Sequence, residues 1–209
     1  MTKLSELPNI FKSKTIKPSF KEVHVLLALI VFNQDRNENG IGRYRLQEEL
    51  CLTEGKVRSL LNRMKHLNLI KTDSRISGHV ITDDGKEMLN DLFEKISPPQ
   101  QPSFDYKELS LGKHAYFSIV FQAQDKLTTG IEQRDEVIKI GGTGATCLIY
   151  NGKQFNFPND DKEIRVKIPT ANLAQPLNEG DVLIIGTGED NSTARLSTLV
   201  AAISLIDLY

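Results

Sequence analysis

From Ser19 onward the chain carries apolar residues at helical spacing. Phe20, Val23, Leu27, Ile30 and Val31 recur every three or four positions, and Asp35-Arg36-Asn37-Glu38-Asn39-Gly40 follows as a polar, turn-prone stop. Pro18 precedes Ser19-Phe20-Lys21-Glu22, a pattern in which Ser19 and Glu22 exchange side-chain-to-backbone hydrogen bonds, so the helix is predicted to open there. A second, shorter helix fits Tyr44 to Cys51, with Leu46 and Leu50 inward. Leu52-Thr53 makes a turn, and Thr53 is placed to cap a third helix reaching about Leu67.

Val57, Leu60, Leu61, Met64 and Leu67 form one stripe of the third helix, which leaves Gly55, Ser59, Asn62 and His66 on the opposite face. Arg58 and Lys65 flank that face on one side, Lys56 and Arg63 on the other. Leu69-Ile70-Lys71-Thr72 and Val80-Ile81-Thr82 then have strand character, joined by Asp73 to His79 as a hairpin tip that carries Arg75. Thr82-Asp83-Asp84-Gly85-Lys86-Glu87 opens a fourth helix with Met88, Leu89, Leu92, Phe93 and Ile96 on one side.

Beyond Ser97-Pro98-Pro99-Gln100-Gln101-Pro102-Ser103 the pattern changes. Ala115 to Ala123 is strand-like, and Ile131 to Ile140 reads as a helix stopped by Gly141-Gly142. Ala145 to Tyr150 is a strand, paired through Asn151-Gly152 with Lys153 to Phe157. Ile164 to Ile168 alternates as a half-exposed strand does, Val182 to Ile185 is a buried strand, and Leu196, Leu199, Val200 and Ile203 stripe a closing helix. The predicted architecture is α+β in two domains. Residues 1–97 form a three-helix, hairpin, helix unit, 98–104 a Pro-rich linker, and 105–209 a small mixed α/β domain.

Composition supports a folded chain: of 209 residues, 39% are hydrophobic and 25% charged. The longest apolar run, Val25 to Phe32, is far below the ~20 residues of a membrane span, and Met1 to Glu6 lacks a secretory pattern, so a cytoplasmic location is expected. Cys51 and Cys147 have no metal-ligand or disulfide spacing and are expected to be small buried groups. The net charge of -1 hides an asymmetry. Residues 1–97 carry 16 Lys and Arg against 13 Asp and Glu, a formal +3, and the remainder carries 10 against 14, a formal -4. Any polyanionic partner therefore belongs to the first half.

Two phrases, Val57-Arg58-Ser59-Leu60-Leu61-Asn62-Arg63-Met64-Lys65-His66-Leu67-Asn68-Leu69-Ile70 and Ile81-Thr82-Asp83-Asp84-Gly85-Lys86-Glu87-Met88-Leu89, together resemble the recognition helix and wing of winged helix-turn-helix transcription regulators. The resemblance implies double-stranded DNA as partner. Arg58, Ser59 and Asn62 become the base readers, with His66 on the same face, and Lys56, Arg63, Lys65, Lys71 and Arg75 the phosphate contacts. Four helix cations against Glu54 make a modest footprint for one copy, so a homodimer on a two-fold site is expected.

In the second half, two glycine-rich joints are candidates for a small anionic effector: Arg134 with Thr143, Gly144 and Thr146, and Gly186 with Gly188 after a buried strand. The second joint has Asn191 where a dinucleotide fingerprint needs its last glycine, and Glu189 and Asp190 disfavour a phosphate, so a strand-to-helix turn capped by Asp190, Asn191 or Ser192 competes. Arg134-Asp135-Glu136-Val137-Ile138-Lys139, the Gly141-to-Thr146 run and Gly180-Asp181-Val182-Leu183-Ile184-Ile185-Gly186 resemble, as a set, the second domain of archaeal transcription regulators that also begin with a winged helix. His24, His66, His79 and His114 show no metal or catalytic spacing, and no cofactor, metal site or catalytic set is expected. A DNA-binding regulator is the expected function. A winged helix that holds other proteins, and an enzyme with an appended DNA-binding domain, stay open.

Overall fold

The computed structural model describes residues 4–11, 18–35, 40–72, 78–110, 112–160, 163–164 and 175–207. It divides between Phe93 and Glu94 into two units, each with its own core. Among the described residues no helix is long and apolar enough to cross a membrane.

A 3₁₀ segment, Leu4–Phe11, opens the first unit and is followed by α1 (Glu22–Gln34), α2 (Arg43–Leu50), α3 (Glu54–His66), β1 (Ile70–Thr72), β2 (His79–Ile81) and α4 (Asp83–Phe93). The order helix, helix, helix, hairpin, helix is the one the sequence predicts. α1 departs from its predicted single stripe: every residue from Val23 to Phe32 is buried, because α2, α4, β2 and the 3₁₀ segment surround it. A helix that is apolar all round belongs inside. It also starts later than Ser19. Phe20 is buried and meets Phe11 edge-on at 5.6 Å, which pins the chain to the core before it can wind. Lys21 takes the cap position instead, and its N–H donates to His24 Nδ1 (3.0 Å).

Cys51 ends α2 in the left-handed conformation (φ 52°) and is exposed, against the expectation of a buried group. Thr53 has the extended backbone of an N-cap, but its side chain makes no capping hydrogen bond to α3. Val57, Leu60, Leu61 and Met64 of α3 are buried as predicted. β1 and β2 pair antiparallel, Ile70 opposite Ile81 and Thr72 opposite His79. Ile41 bridges the free edge of β2, exchanging both backbone hydrogen bonds with His79 at 3.1 Å. The hairpin tip, residues 73–77, lies outside the described residues, Arg75 included. Thr82 caps α4 by accepting from the Gly85 N–H (3.2 Å) and donates its own hydroxyl to the Asn68 carbonyl. Gly85 has no room for a side chain, since a Cβ there would lie 2.3 Å from the Leu69 carbonyl oxygen.

The second unit holds β3 (His114–Val120), α5 (Ile131–Lys139), β4 (Gly144–Tyr150), β5 (Phe155–Asn156), β6 (Glu163–Ile164), β7 (Val182–Gly188) and α6 (Asn191–Ile203). Strands and helices interleave along the chain as predicted. In space the sheet order is β3-β7-β4-β5-β6 and every pairing is antiparallel. All seven β7 residues are buried, because the strand lies between β3 and β4 with both faces covered; its unbroken apolar run follows from that place. α6 packs on β7 and β3, and α5 packs on α6 and β4. On the opposite face Phe117, Ile119, Leu148, Leu183 and Ile185 form a core covered by Phe104, Tyr106 and Leu109.

Two local expectations change. The Pro-rich stretch does not behave as a tether: Ser97 N–H donates to the Ile119 carbonyl (2.8 Å), and Gln100 exchanges hydrogen bonds with Phe117 (2.9 and 2.8 Å), so it lines the edge of β3. Prolines lack an N–H and suit such an edge. The Asn151-Gly152 turn is wider than a two-residue hairpin, with Tyr150 opposite Phe155 and Asn151 Oδ1 accepting from the Lys153 and Gln154 N–H groups (3.1 and 3.0 Å). Of the strand expected from Ile164 to Ile168, residues 165–168 lie outside the described residues.

Candidate functional site

The buried stripe of α3 fixes what its other side presents. Gly55, Lys56, Arg58, Ser59, Asn62, Lys65 and His66 are exposed and Arg63 is half-buried. The short polar groups therefore run down the middle of an outward ridge with cations beside them, as predicted. Lys71 is exposed on β1, which α3 leads into directly. Arg58 is already engaged: its Nη2 lies 2.9 Å from Glu54 Oε1, a pair with both partners solvated and hence of small energetic weight. A phosphate can compete for it.

Arg43, the first residue of α2, was not among the predicted residues. It lies 3.5 Å from the same Glu54 oxygen, which brings the start of α2 to the start of α3. The sequence signal was available, as a cation at the first position of the helix that precedes α3. Arg45 beside it is held by Asp35 (2.8 Å). His79 links the ridge to the hairpin. Its Nδ1 hydrogen-bonds the Thr72 hydroxyl across the strands (3.0 Å), and burial lowers its pKa, with the positive charges of Lys65 and Arg43 lowering it further. The cations of α2 and α3 thus act on one point at the base of the hairpin.

The second unit brings part of the predicted anion site together. Arg134, Thr143, Gly144 and Thr146 line a pocket of about 360 Å³ with Lys107, Ser110 and Thr187. Thr143 donates to Thr187 Oγ1 (2.8 Å), Thr187 donates to the Gly144 carbonyl (3.1 Å), and Thr146 donates to the Leu109 carbonyl (2.5 Å). With their protons committed to the protein, these hydroxyls offer a ligand acceptor lone pairs, so the cations Arg134 and Lys107 are what an anion would meet. Lys107 and the loop around it were not predicted; they reach the pocket only through tertiary folding.

Gly186 and Gly188 are elsewhere. A Cβ on Gly186 would lie 2.3 Å from the Thr198 backbone nitrogen, and one on Gly188 2.7 Å from the Ala194 nitrogen, so both let α6 lie close against β7. Asp190 caps α6, Oδ1 accepting from the Thr193 N–H at 2.7 Å, as the strand-to-helix turn reading expects. Asp181 is fully buried and structural: its carboxylate accepts from the Gln122 N–H (2.9 Å) and the Asn178 N–H (2.8 Å). Among the described residues no three His, Cys, Asp or Glu side chains come together as metal ligands would. Burial pushes the Cys147 thiol up to about 12.

Residues 28–87 match the family described as "PH0730-like, N-terminal domain", and residues 111–205 match "Domain of unknown function (DUF4443)". The chain is similar in structure to hypothetical protein PH0730 from Pyrococcus horikoshii OT3, with a TM-score of 0.68 and 26% identity over 90% of this chain and 93% of that one. No curated protein matches. The likeness spans both units and supports a two-domain protein of archaeal type.

Proposed function

We propose that this chain is a transcription regulator that binds double-stranded DNA through α3 and the hairpin, and that it does so as a homodimer. The observation that carries the reading is the α3 ridge: a fully buried apolar stripe fixes the helix, and Ser59 and Asn62 stand exposed between Lys56 and Lys65. Small polar side chains reach base edges, and longer cations at the flanks reach phosphates. Arg43 adds a phosphate contact from α2, and Lys71 one from the hairpin. The second unit dimerises, senses a small anion at the Arg134 pocket, or does both. A tenfold change in DNA affinity on effector binding needs about 1.4 kcal/mol of coupling. No catalytic step enters this reading.

Titration of duplex DNA at several salt concentrations tests it. Lys65→Ala and Lys56→Ala are each expected to reduce the log-log salt slope by about 0.9 while leaving the order of preferred sequences unchanged. Asn62→Ala is expected to leave the slope and relax discrimination at one base pair, by about 1 to 3 kcal/mol. Absence of binding to random duplex at about 50 mM salt, where non-specific contacts are strong, would overturn the reading.

A further inference from the structure

Helix α5 presents an outward face that is complementary to itself. Ile131 and Ile138 are 51% and 52% exposed, one at the start of the nine-residue helix and one a residue before its end. Between them stand Arg134 and Asp135, both exposed. At about 100° per residue these four positions share one arc of about 100°, while Gln133 and Val137 turn inward against the rest of the unit. The order is apolar, positive, negative, apolar, and it is symmetric about the midpoint between Arg134 and Asp135 except that the two charges change sign.

We propose that α5 is the contact between two copies of this chain, packed antiparallel about a two-fold axis through that midpoint. In this arrangement Ile131 of each copy lies on Ile138 of the other, and each Arg134 meets the other copy's Asp135. A two-fold contact requires a surface complementary to itself, and this sequence of positions meets that requirement in shape and in charge. Among the described residues Arg134 pairs with its sequence neighbour Asp135, at 3.1 Å and with both side chains about half exposed. Adjacent helical residues do not face each other, so an Asp135 presented by a facing helix offers the guanidinium a better-directed partner. The neighbouring Lys139 is already tied to Glu136 at 2.6 Å and does not compete.

The contact is small. Nine residues span only about 14 Å of helix, and one such helix pair falls short of the roughly 1,200 Å² that a stable interface buries. The free protein therefore associates weakly, and two half-sites on one duplex would hold the pair together at high effective concentration. The proposal deepens the homodimer in the function proposed above, and it is tested without DNA, so the two fail separately.

Sedimentation equilibrium of the full chain up to about 500 µM measures it, within the range where so small an interface associates. The wild-type chain dimerises. Arg134→Asp alone places acid against acid, and Asp135→Arg alone places base against base, so each variant by itself associates at least tenfold more weakly. An equimolar mixture of the two variants regains association, because each copy then offers what the other lacks, while the pair within each chain stays broken. Ile138→Asp abolishes association in every combination. A wild-type chain that stays monomeric, single variants that dimerise as well as wild type, or a mixture no better than its components would each overturn the proposal.

Discussion

His24 shows how one side chain can serve the fold while looking like a candidate for chemistry. It is 7% exposed at the start of α1, and its ring nitrogen closes the helix cap by accepting the Lys21 N–H. That acceptor exists only while Nδ1 is unprotonated. Burial lowers its pKa from 6.5 to about 4, with the backbone contact to Lys21 opposing and the charges of Lys21 and Lys56 assisting. Between those two values the unfolded chain binds the proton that the folded chain refuses, so stability falls as pH falls from about 6.5 toward 4 and is insensitive to this group above that window. The loss attributable to His24 is about 2 to 3 kcal/mol by pH 4.5. In His24→Asn an amide oxygen can take over the cap and nothing titrates. Urea unfolding at pH 7.5 and 4.5 is expected to show the wild type losing that much more than the variant; equal losses would mean that His24 is protonated in the fold at little cost.

At the level of elements, the clearest sequence signals were periodic ones in which a single face is buried. The α3 stripe was legible because its other face meets water, and so the exposed ridge with Ser59, Asn62 and the cations was legible too. α1 was found as a helix, but its burial on all sides was hidden, since periodicity reports contrast and a surrounded helix has little. Glycines misled where they serve packing: Gly186-Thr187-Gly188 resembles a ligand joint in sequence, yet what fills the space over these glycines is the backbone of α6. The Arg134 pocket was half legible, because Thr143 to Thr146 are contiguous with their own turn whereas Lys107 and Ser110 arrive from a separate segment. The packing reading of Gly186 makes a prediction. Gly186→Ala sets a methyl group against the Thr198 backbone and also presses on its hydroxyl, which accepts from the Gly186 N–H at 3.2 Å and bridges to the Tyr116 carbonyl at 2.9 Å. Backbone cannot step aside as a flexible side chain does, so the loss is expected to be about 3 kcal/mol in chemical unfolding. A loss below about 1 kcal/mol would show that α6 shifts freely and that the glycine is there for another reason.

For the whole chain, the decisive question is where one unit stops and the next begins, because composition and hydrogen bonding disagree. Three prolines in five residues mark a linker by composition. The hydrogen bonds instead make residues 95–100 the outer edge of the second sheet. Phe121 N–H donates to the Lys95 carbonyl (2.9 Å), Ser118 Oγ to the Ser97 carbonyl (2.6 Å), and Ile119 N–H to Ser97 Oγ (2.8 Å), with Ile96 and Ser97 wholly buried. β3 is an edge strand of the five-stranded sheet, and without this cover its backbone groups would stand open to pairing with another chain. A fragment spanning 94–207 is therefore expected to unfold cooperatively and a fragment spanning 105–207 to be about 8 kcal/mol less stable. Each of the six lost hydrogen bonds contributes about 1 kcal/mol and the lost burial of Ile96 about 2. Because a domain holds only about 5 to 15 kcal/mol in all, the shorter fragment should sit near its unfolding threshold and form oligomers through β3. Urea unfolding followed by circular dichroism, with sedimentation velocity alongside, checks both outcomes. If the two fragments share a midpoint and associate to the same degree, the Pro-rich stretch is a tether after all.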